Sequence, residues 1–557
     1  MSNASRHLKG YPILARGKRD NMSNSGEWTD VLIVGGGPVG MALALDLRYR
    51  GIDCMVVESG DGEVRHPKVS TIGPRSMELF RRWGLAATIR GAGWPADHPL
   101  DIAWVTRVGG HEVHRYSRGT TASRGPFAHT PEPDQICPAH WLNPLLQRAV
   151  GVHPTGPLRL KTTVEGVRQA ADHVEATLIA GESGRTSTVR AQFLVACDGA
   201  ASPIRQACGI GAPPRHRTQI FRNILFRAPE LKRQLGDRVA LVYFLMLSST
   251  LRFPMRSLNG SDLYNLVVGV DAAAQVDGTS LITDAIAFET PVQLLSDSEW
   301  HLTHRVADSY RAERVFLAGD AAHTLSPSGG FGLNTGFGDV ADLGWKLAAA
   351  LNGWAGRRLL DTYETERRPI ALESLQEANL NLQRTMHRQV PPELHADDPI
   401  GESARAEMAS KLVRGGAHSE FDAPEIHFGL SYQSAAIIAD PLVAPRPGKP
   451  DPHWRPGSDP GSRAAHAWWD ATTSTLDLFG HDFVLMSFAE STRLFALERA
   501  FAERHVPLTV RRGTDPEIAK LYERPFVLVR PDGHVAWRGD DLPTDLVTFV
   551  DTVRGES

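Results

Sequence analysis

Cysteine is scarce in this chain of 557 residues: Cys54, Cys137, Cys197 and Cys208 are the only ones. Their spacing matches neither a zinc-ligand pattern nor a C-x-x-C pair, which argues against a structural metal, a disulfide framework and thiol redox chemistry, and for a reduced, cytoplasmic protein. No metal is expected, since His301 and His304 lie three apart on an expected strand, a poor geometry for a ligand pair. Strong charge of either sign is also missing. The formal net charge is −4, so no nucleic acid is expected as a partner. No apolar run approaches the about 20 residues that cross a bilayer, and no membrane partner is expected. Residues 1–27, MSNASRHLKGYPILARGKRDNMSNSGE, are basic and polar without the apolar core of a secretory signal. They read as a disordered leader in which Met22 is an alternative start.

With 42% hydrophobic and 22% charged residues, the chain is too long for one core and should divide into two or three domains. Three glycine-rich signatures follow one another along it. VLIVGGGPVG sets Gly35, Gly37 and Gly40 in G-x-G-x-x-G register after an apolar strand, and Glu58 closes the next strand, MVVE. A tight turn at Gly35, backbone approach to a pyrophosphate at Gly37 and close strand-to-helix packing at Gly40 describe a dinucleotide site. The phosphates would rest on the N-terminus of the helix that follows, and Glu58 stands where a ribose hydroxyl is expected. FLVACDGAASPIR adds Asp198, Gly199, Ser202 and Arg205, although D-G is also an ordinary turn pair. RVFLAGDAAHTLSPSGGFGLNTG supplies Gly319, Asp320, Pro327, Gly329, Gly330 and Gly332. Asp320 ends a strand where a ribityl chain would be held, and Pro327 and the glycines make a loop poor in side chains, the surface a flat flavin ring needs. The plainer reading is a strand, a turn and a helix from DVADLGWKLAAAL, with Asp320 as an N-cap. Taken together the three signatures select FAD over NAD.

Between the signatures, NILFRA, VALVYFLML and LYNLVVGV read as strands of a covering sheet, and LLDTYETERRPIALESLQEANLNLQRTM as one or two long helices. The proline-rich PLVAPRPGKPDPHWRPGSDPGSR marks a linker. Beyond it strand, helix and hairpin alternate, with RPDGHVAWR as a D-G hairpin of thioredoxin-like type. The fold expected is α/β: a Rossmann-like FAD-binding domain over 28–107, 131–215 and 299–395, and an inserted substrate-covering β-sheet domain over 108–130 and 216–298. A helical segment and linker over 396–462 and a thioredoxin-like domain without redox cysteines over 463–557 complete it.

This combination resembles the class A flavin-dependent aromatic hydroxylases over nearly the whole chain: the first glycine motif, RSMELFRRWG, the D-G and G-D segments with Asn334 and Asp339, WKL, and the thioredoxin-like tail. The resemblance also implies cofactor contacts from Pro38, Lys68, Arg75, Leu333 and Asn334. Two positions depart from the family pattern: Ala139 stands where many members have a flavin-contacting glutamine, and Lys68 where an arginine is common. KVSTIGPRSMELFRRWG, AGWPADHPLDIAWVTRVGGHEV, HTPEPD, LSDSEWHLTHRVADS and HVAWRGD are similar to the flavoenzymes of indolocarbazole biosynthesis, in the rebeccamycin and staurosporine pathways. That narrower resemblance implies NAD(P)H as cosubstrate, a cytochrome P450 as partner, and a polycyclic substrate derived from chromopyrrolic acid, a bis-indole pyrrole with two carboxylates, which is hydroxylated and oxidatively decarboxylated. It also implies pocket positions at Val242, Asn265 and Glu420, with the small Val242 and neutral Asn265 resembling the lactam-forming, staurosporine-type members.

Two carboxylates call for guanidinium partners, and LRFPMRS offers Arg252 and Arg256, unless these are solvated surface arginines. Trp300 is suited to stack on a flat polycycle or to serve as plain core. No side chain is singled out as catalytic, because the cofactor carries the hard chemistry; His323 reads as a support of the G-D loop. Hydroxylation of another polycyclic or phenolic ring is the alternative substrate reading. A non-catalytic binding protein on the same fold would be expected to lose the G-D loop, which is kept, and an isoprenoid epoxidase would show an apolar tail, where this tail is polar.

Overall fold

The computed structural model describes residues 27–67, 71–151, 158–270, 276–444 and 454–556. Lys68, the leader with Met22, and the stretch 445–453 of the proline-rich segment lie outside the described residues.

The first sheet forms around the strand Glu27–Val34, which pairs in parallel with Cys54–Val57 on one side and Thr186–Ala196 on the other. Thr186–Ala196 in turn pairs in parallel with Val315–Leu317. Val31, Leu32, Ile33 and Val34 are all buried, as expected of a parallel sheet covered on both faces, whose strands read as continuous apolar runs rather than alternating ones. The helices Pro38–Tyr49 and Phe331–Leu351 pack on each other beside it. All three glycine signatures therefore leave the carboxyl ends of adjacent strands, where open α/β sheets bind their ligands.

The second sheet has seven strands in the order Gln293–Leu302, Gln219–Arg227, Leu263–Gly269, Pro254–Ser257, Val242–Leu245, Ile102–Val105, Glu112–Tyr116. One assignment is corrected here. Ile102–Val105, counted with the first domain on sequence, pairs in parallel with Val242–Leu245 in the covering sheet. Its four apolar residues are buried and carry no period that names their neighbour.

The C-terminal sheet runs Leu508–Arg512, Phe483–Ser487, Phe526–Val529, Val535–Gly539, the first pair parallel and the others antiparallel. With the helices Leu494–Ala502, Pro516–Tyr522 and Leu546–Val553 it has the thioredoxin-like order expected. Its D-G turn is not a solvent-exposed tip. Arg530 and Asp532 are fully buried against the helices Phe331–Leu351 and Thr362–Met386, the latter a single helix running through Pro369. Arg530 donates to Glu366 Oε1 at 2.7 Å and to Asp342 Oδ1 at 3.1 Å, and pairs with Asp532. Lys346 Nζ completes the cluster, 2.8 Å from Asp342 and 2.7 Å from Glu366. Burial opposes the ionisation of Glu366, but Arg530 and Lys346 outweigh it and hold its carboxyl well below the usual range. Burial pushes Asp342 the other way, far above its ordinary value. Two carboxylates, Glu366 and Asp532, then face two cations.

The long helix begins at Phe331, eight residues before the start expected from its apolar run, so Gly332, Leu333 and Asn334 form its first turn and not a loop. The glycines that masked it answer to close approach: a Cβ on Gly336 would meet Val39 Cγ2 at 2.6 Å, and one on Gly338 the Arg367 guanidinium at 2.5 Å.

Candidate functional site

At the first glycine turn, Gly35 has φ +111°, and a Cβ there would meet the Cys197 carbonyl oxygen at 2.2 Å. A Cβ on Gly40 would meet the Gly35 oxygen at 2.0 Å, while one on Gly37 would meet nothing within 4 Å. Gly37 is the N-cap of Pro38–Tyr49 and offers no side-chain cap, so the first helical N–H groups face open space. Glu58 accepts from Gly36 N at 2.7 Å and from Gly60 N at 2.6 Å, which fixes its carboxylate beside the turn.

The third signature repeats this arrangement. Gly330 is the N-cap of Phe331–Leu351 at φ +67°, again without a side-chain cap and with nothing within 4 Å of its Cβ position. Pro327 is exposed and its carbonyl closes the turn, accepting from Gly330 N at 3.0 Å. Asn334 ties this loop to the segment before Arg75: its Nδ2 donates to Gly330 O at 2.7 Å and Thr71 O at 3.1 Å, and its Oδ1 accepts from Gly73 N and Ser76 Oγ. Gly332 and Leu333 follow on the same turn, Leu333 partly buried on the first core. Asp320 is exposed and caps nothing, which removes the plain reading of it as an N-cap. His323 is buried, its Nε2 2.7 Å from Asp339 Oδ2. Asp339 also accepts from Gly319 N and Arg367 Nε, so His323 braces the loop.

Asp198 accepts from Ile204 N at 3.1 Å through Oδ2, while its Oδ1 is buried with no partner among the described residues. Burial raises its pKa. Arg205 donates to Ala321 O at 2.9 Å and so joins the second signature to the third. Two open N-termini, an orphaned carboxylate oxygen and a free Asp320 fit a phosphate-bearing, hydroxyl-rich cofactor. Arg75 is placed otherwise than expected: it donates to Glu78 at 3.0 Å and to the Asp532 carbonyl at 3.0 Å, so its guanidinium is committed to the C-terminal layer and not to the glycine loops.

On the covering sheet the structure brings three of the expected pocket residues into one row. Val242 pairs directly with Arg256, Arg256 with Asn265, and Asn265 with Leu225, and residues directly opposite each other share a face. The other face, with Tyr243, Met255, Leu266 and Ile224, is core. Asn265 donates its amide to Asn223. Glu420 lies between this sheet and the glycine loop: it accepts from Gly329 N at 3.3 Å, and Arg256 and Arg388 are among the cations that face it. The loop that carries Glu420 is fastened to the sheet edge by Tyr116, which donates to Asp422 at 3.1 Å, and by His114 and His418, 2.8 Å apart.

Two expectations fail here. Arg252 donates to the carbonyls of Ser249, Met386 and Arg388; it closes the end of the long helix and is spent as a carboxylate partner. Trp300 pairs with Phe221, and Ser296 is the residue opposite Leu225 in the pocket row, four residues or about 13 Å along the strand. Its ring stacks on Phe221 at 5.8 Å in a cluster with Phe253 and Met386, the plain-core alternative. Sequence reasoning missed Arg388, which no motif marks.

Residues 28–378 match the FAD binding domain family and residues 458–557 the C-terminal domain of aromatic-ring hydroxylases. The tetracenomycin B2 monooxygenase-dioxygenase of Streptomyces olivaceus is 32% identical, over 94% of this chain and 97% of its own. Among solved structures, RebC soaked with chromopyrrolic acid and holding 7-carboxy-K252c is 61% identical with a TM-score of 0.92, covering 96% of this chain and all of its own. The rebeccamycin biosynthetic enzyme RebC with reduced flavin gives the same identity, TM-score and coverage. Among the described residues no helix is long and apolar enough to cross a membrane. With its three glycine turns set around two open helix ends and both domains matched, this chain belongs to the FAD-binding aromatic-ring hydroxylases and is an FAD-dependent aromatic monooxygenase that uses NAD(P)H.

Proposed function

We propose that this enzyme oxidises a chromopyrrolic-acid-derived intermediate in indolocarbazole biosynthesis, working with a cytochrome P450, and that its product is the lactam-level, staurosporine-type aglycone. The observation that carries this reading is the Val242, Arg256, Asn265 row, in a chain 61% identical to a protein holding 7-carboxy-K252c. When bound, FAD reduced by NAD(P)H activates dioxygen for transfer to an electron-rich ring carbon. The chain's own groups position the partners. Gly37 and Gly330, N-caps without side chains, leave the first-turn N–H groups of their helices for the cofactor, Glu58 and Asp198 serve hydroxyl groups, and Asp320 the ribityl chain. Arg256 supplies a guanidinium for a substrate carboxylate. Val242, packed in the apolar cluster of the sheet, is smaller than a phenylalanine, and Asn265, held by Asn223, adds no second positive charge to the row.

An arginine at 265 would stand directly opposite Arg256 and grip a carboxylate between two guanidiniums, while a phenylalanine at 242 would fill the space beside it. Loss of that grip lets the intermediate decarboxylate early and leave as the lactam. Chromatography of the P450-coupled reaction tests this. The wild type should give mainly lactam, and Val242→Phe with Asn265→Arg should shift output toward the maleimide; a wild type giving mostly maleimide, or an unchanged ratio in the double variant, overturns it. Turnover of another polycyclic phenol with none of the bis-indole diacid would favour the broader hydroxylase reading.

A further inference from the structure

Arg388 follows the helix Thr362–Met386 and is half-buried, with its Nη1 enclosed and without a hydrogen-bond partner among the described residues. Its position is prepared. Arg252 grips the carbonyls of Met386 and Arg388, and the Arg388 guanidinium lies 5.6 Å from the centroid of the Phe244 ring, two residues along the strand from Val242. The Arg256 guanidinium likewise has no hydrogen-bond partner among the described residues, and the charge it faces is that of Glu420. Neither guanidinium is in ion-pair contact with Glu420, although both act on it. Two partly enclosed guanidiniums without an ion-pair contact carry a desolvation cost in a finished fold, and they are what a site for anions requires.

We propose that Arg388 is a second carboxylate-binding cation of the substrate site, that Arg256 and Arg388 together receive the two carboxylates of an aromatic diacid, and that Glu420 takes up one proton as the diacid binds. The charge count enforces the last step. With Arg384 offset by Glu377, 3.6 Å away, Arg256, Arg388 and ionised Glu420 sum to one positive charge, which a monoanion neutralises; a dianion leaves one negative charge in excess unless Glu420 becomes neutral. The groups that face Glu420 are Arg256 from the sheet, Arg388 and Arg384 from the end of the long helix, and the Gly329 N–H from the glycine loop. Burial already raises its pKa against the pull of those cations. This inference rests on the diacid substrate proposed above and adds to it a residue and a proton.

Calorimetry of the FAD-loaded protein, with chromopyrrolic acid and its monomethyl ester in two buffers of different ionisation enthalpy, tests it. The diacid should bind with uptake of about one proton and the ester with none. In Glu420→Gln the uptake should vanish while the diacid still binds. Arg388→Gln should weaken the diacid at least about tenfold more than the ester, and Arg388→Lys should restore part of that preference; flavin content and melting temperature show that the variants are folded. Equal proton counts for the two ligands, or equal losses for both in Arg388→Gln, would overturn this proposal alone. Binding of neither ligand by the wild type would overturn the diacid reading and this proposal with it.

Discussion

Two groups of charges stand at opposite ends of the helix Thr362–Met386, and they are built differently. At the C-terminal layer, Arg530 and Lys346 are saturated by Asp342, Glu366 and Asp532. At the covering sheet, Arg256 and Arg388 are half-buried with one carboxylate, Glu420, acting on both and in ion-pair contact with neither. Burial lowers the Arg388 pKa to about 10, so it remains a cation at neutral pH. A saturated cluster resists the loss of any member, because each leaves an uncompensated charge in a dry interior; an unsaturated one is already under that penalty, and a ligand relieves it. Geometry thus separates the charges that join layers from those proposed to receive substrate.

Substituting one arginine in each cluster breaks or upholds this distinction most directly. Arg530→Met should cost about 3–5 kcal/mol of stability and lower the melting temperature sharply. Arg388→Met should change stability by less than about 1 kcal/mol in either direction while abolishing diacid binding. Equal losses of melting temperature in both would erase the contrast.

The saturated cluster also makes a claim about acid. Burial, partly offset by Asp532, lowers the His534 pKa to about 4, below its unfolded value of about 6.5. The unfolded state therefore binds the extra proton between those values, and the stability His534 contributes is present above pH 6.5 and lost as pH falls toward 4. Denaturation followed from pH 7 to 4 should lose about one proton's worth of slope in His534→Gln; an unchanged slope would place the acid sensitivity elsewhere.

At the glycine loops, Asp320→Ala should raise the Kd for FAD about tenfold or more, as loss of a hydrogen bond to a charged group does, measured by flavin fluorescence on reconstitution. Wild-type affinity in that variant would remove Asp320 from the site. The smallest effect belongs to Trp300→Phe, which should lower the melting temperature slightly and leave KM unchanged, since the ring packs on Phe221 outside the pocket row; a changed KM would return Trp300 to the substrate.

What could be read from the chain alone divides along the same line. The glycine turns were legible because backbone geometry is a local demand: φ above zero at Gly35 and Gly330 restricts those positions to glycine whatever lies around them. Positions 242 and 265 emerged from resemblance to a family, since nothing in LRFPMRS or LYNLVVGV states that Arg256 and Asn265 stand opposite each other. Arg252 was misread because two of its three carbonyl partners, those of Met386 and Arg388, lie more than a hundred residues along the chain, and Arg388 passed unnoticed because what an arginine faces is a tertiary fact. The start of the long helix was misplaced because glycine's low propensity is overridden where Val39 and Arg367 press against the backbone.

That contact of Val39 has a use in recombination between related chains. Its methyl groups lie 2.6 Å from where a Cβ on Gly336 would be and 3.0 Å from one on Gly319, so this side chain interlocks the helix after the first glycine turn with the helix after the third, as Asp46 does against Gly344 farther along. A crossover anywhere between residues 40 and 319 that joins this Val39 to an alanine at 336 inherits a steric conflict beneath the cofactor, although each parent is sound. Chimeras built from these enzymes should therefore exchange the two segments together, treating them as one heritable block despite their separation in sequence.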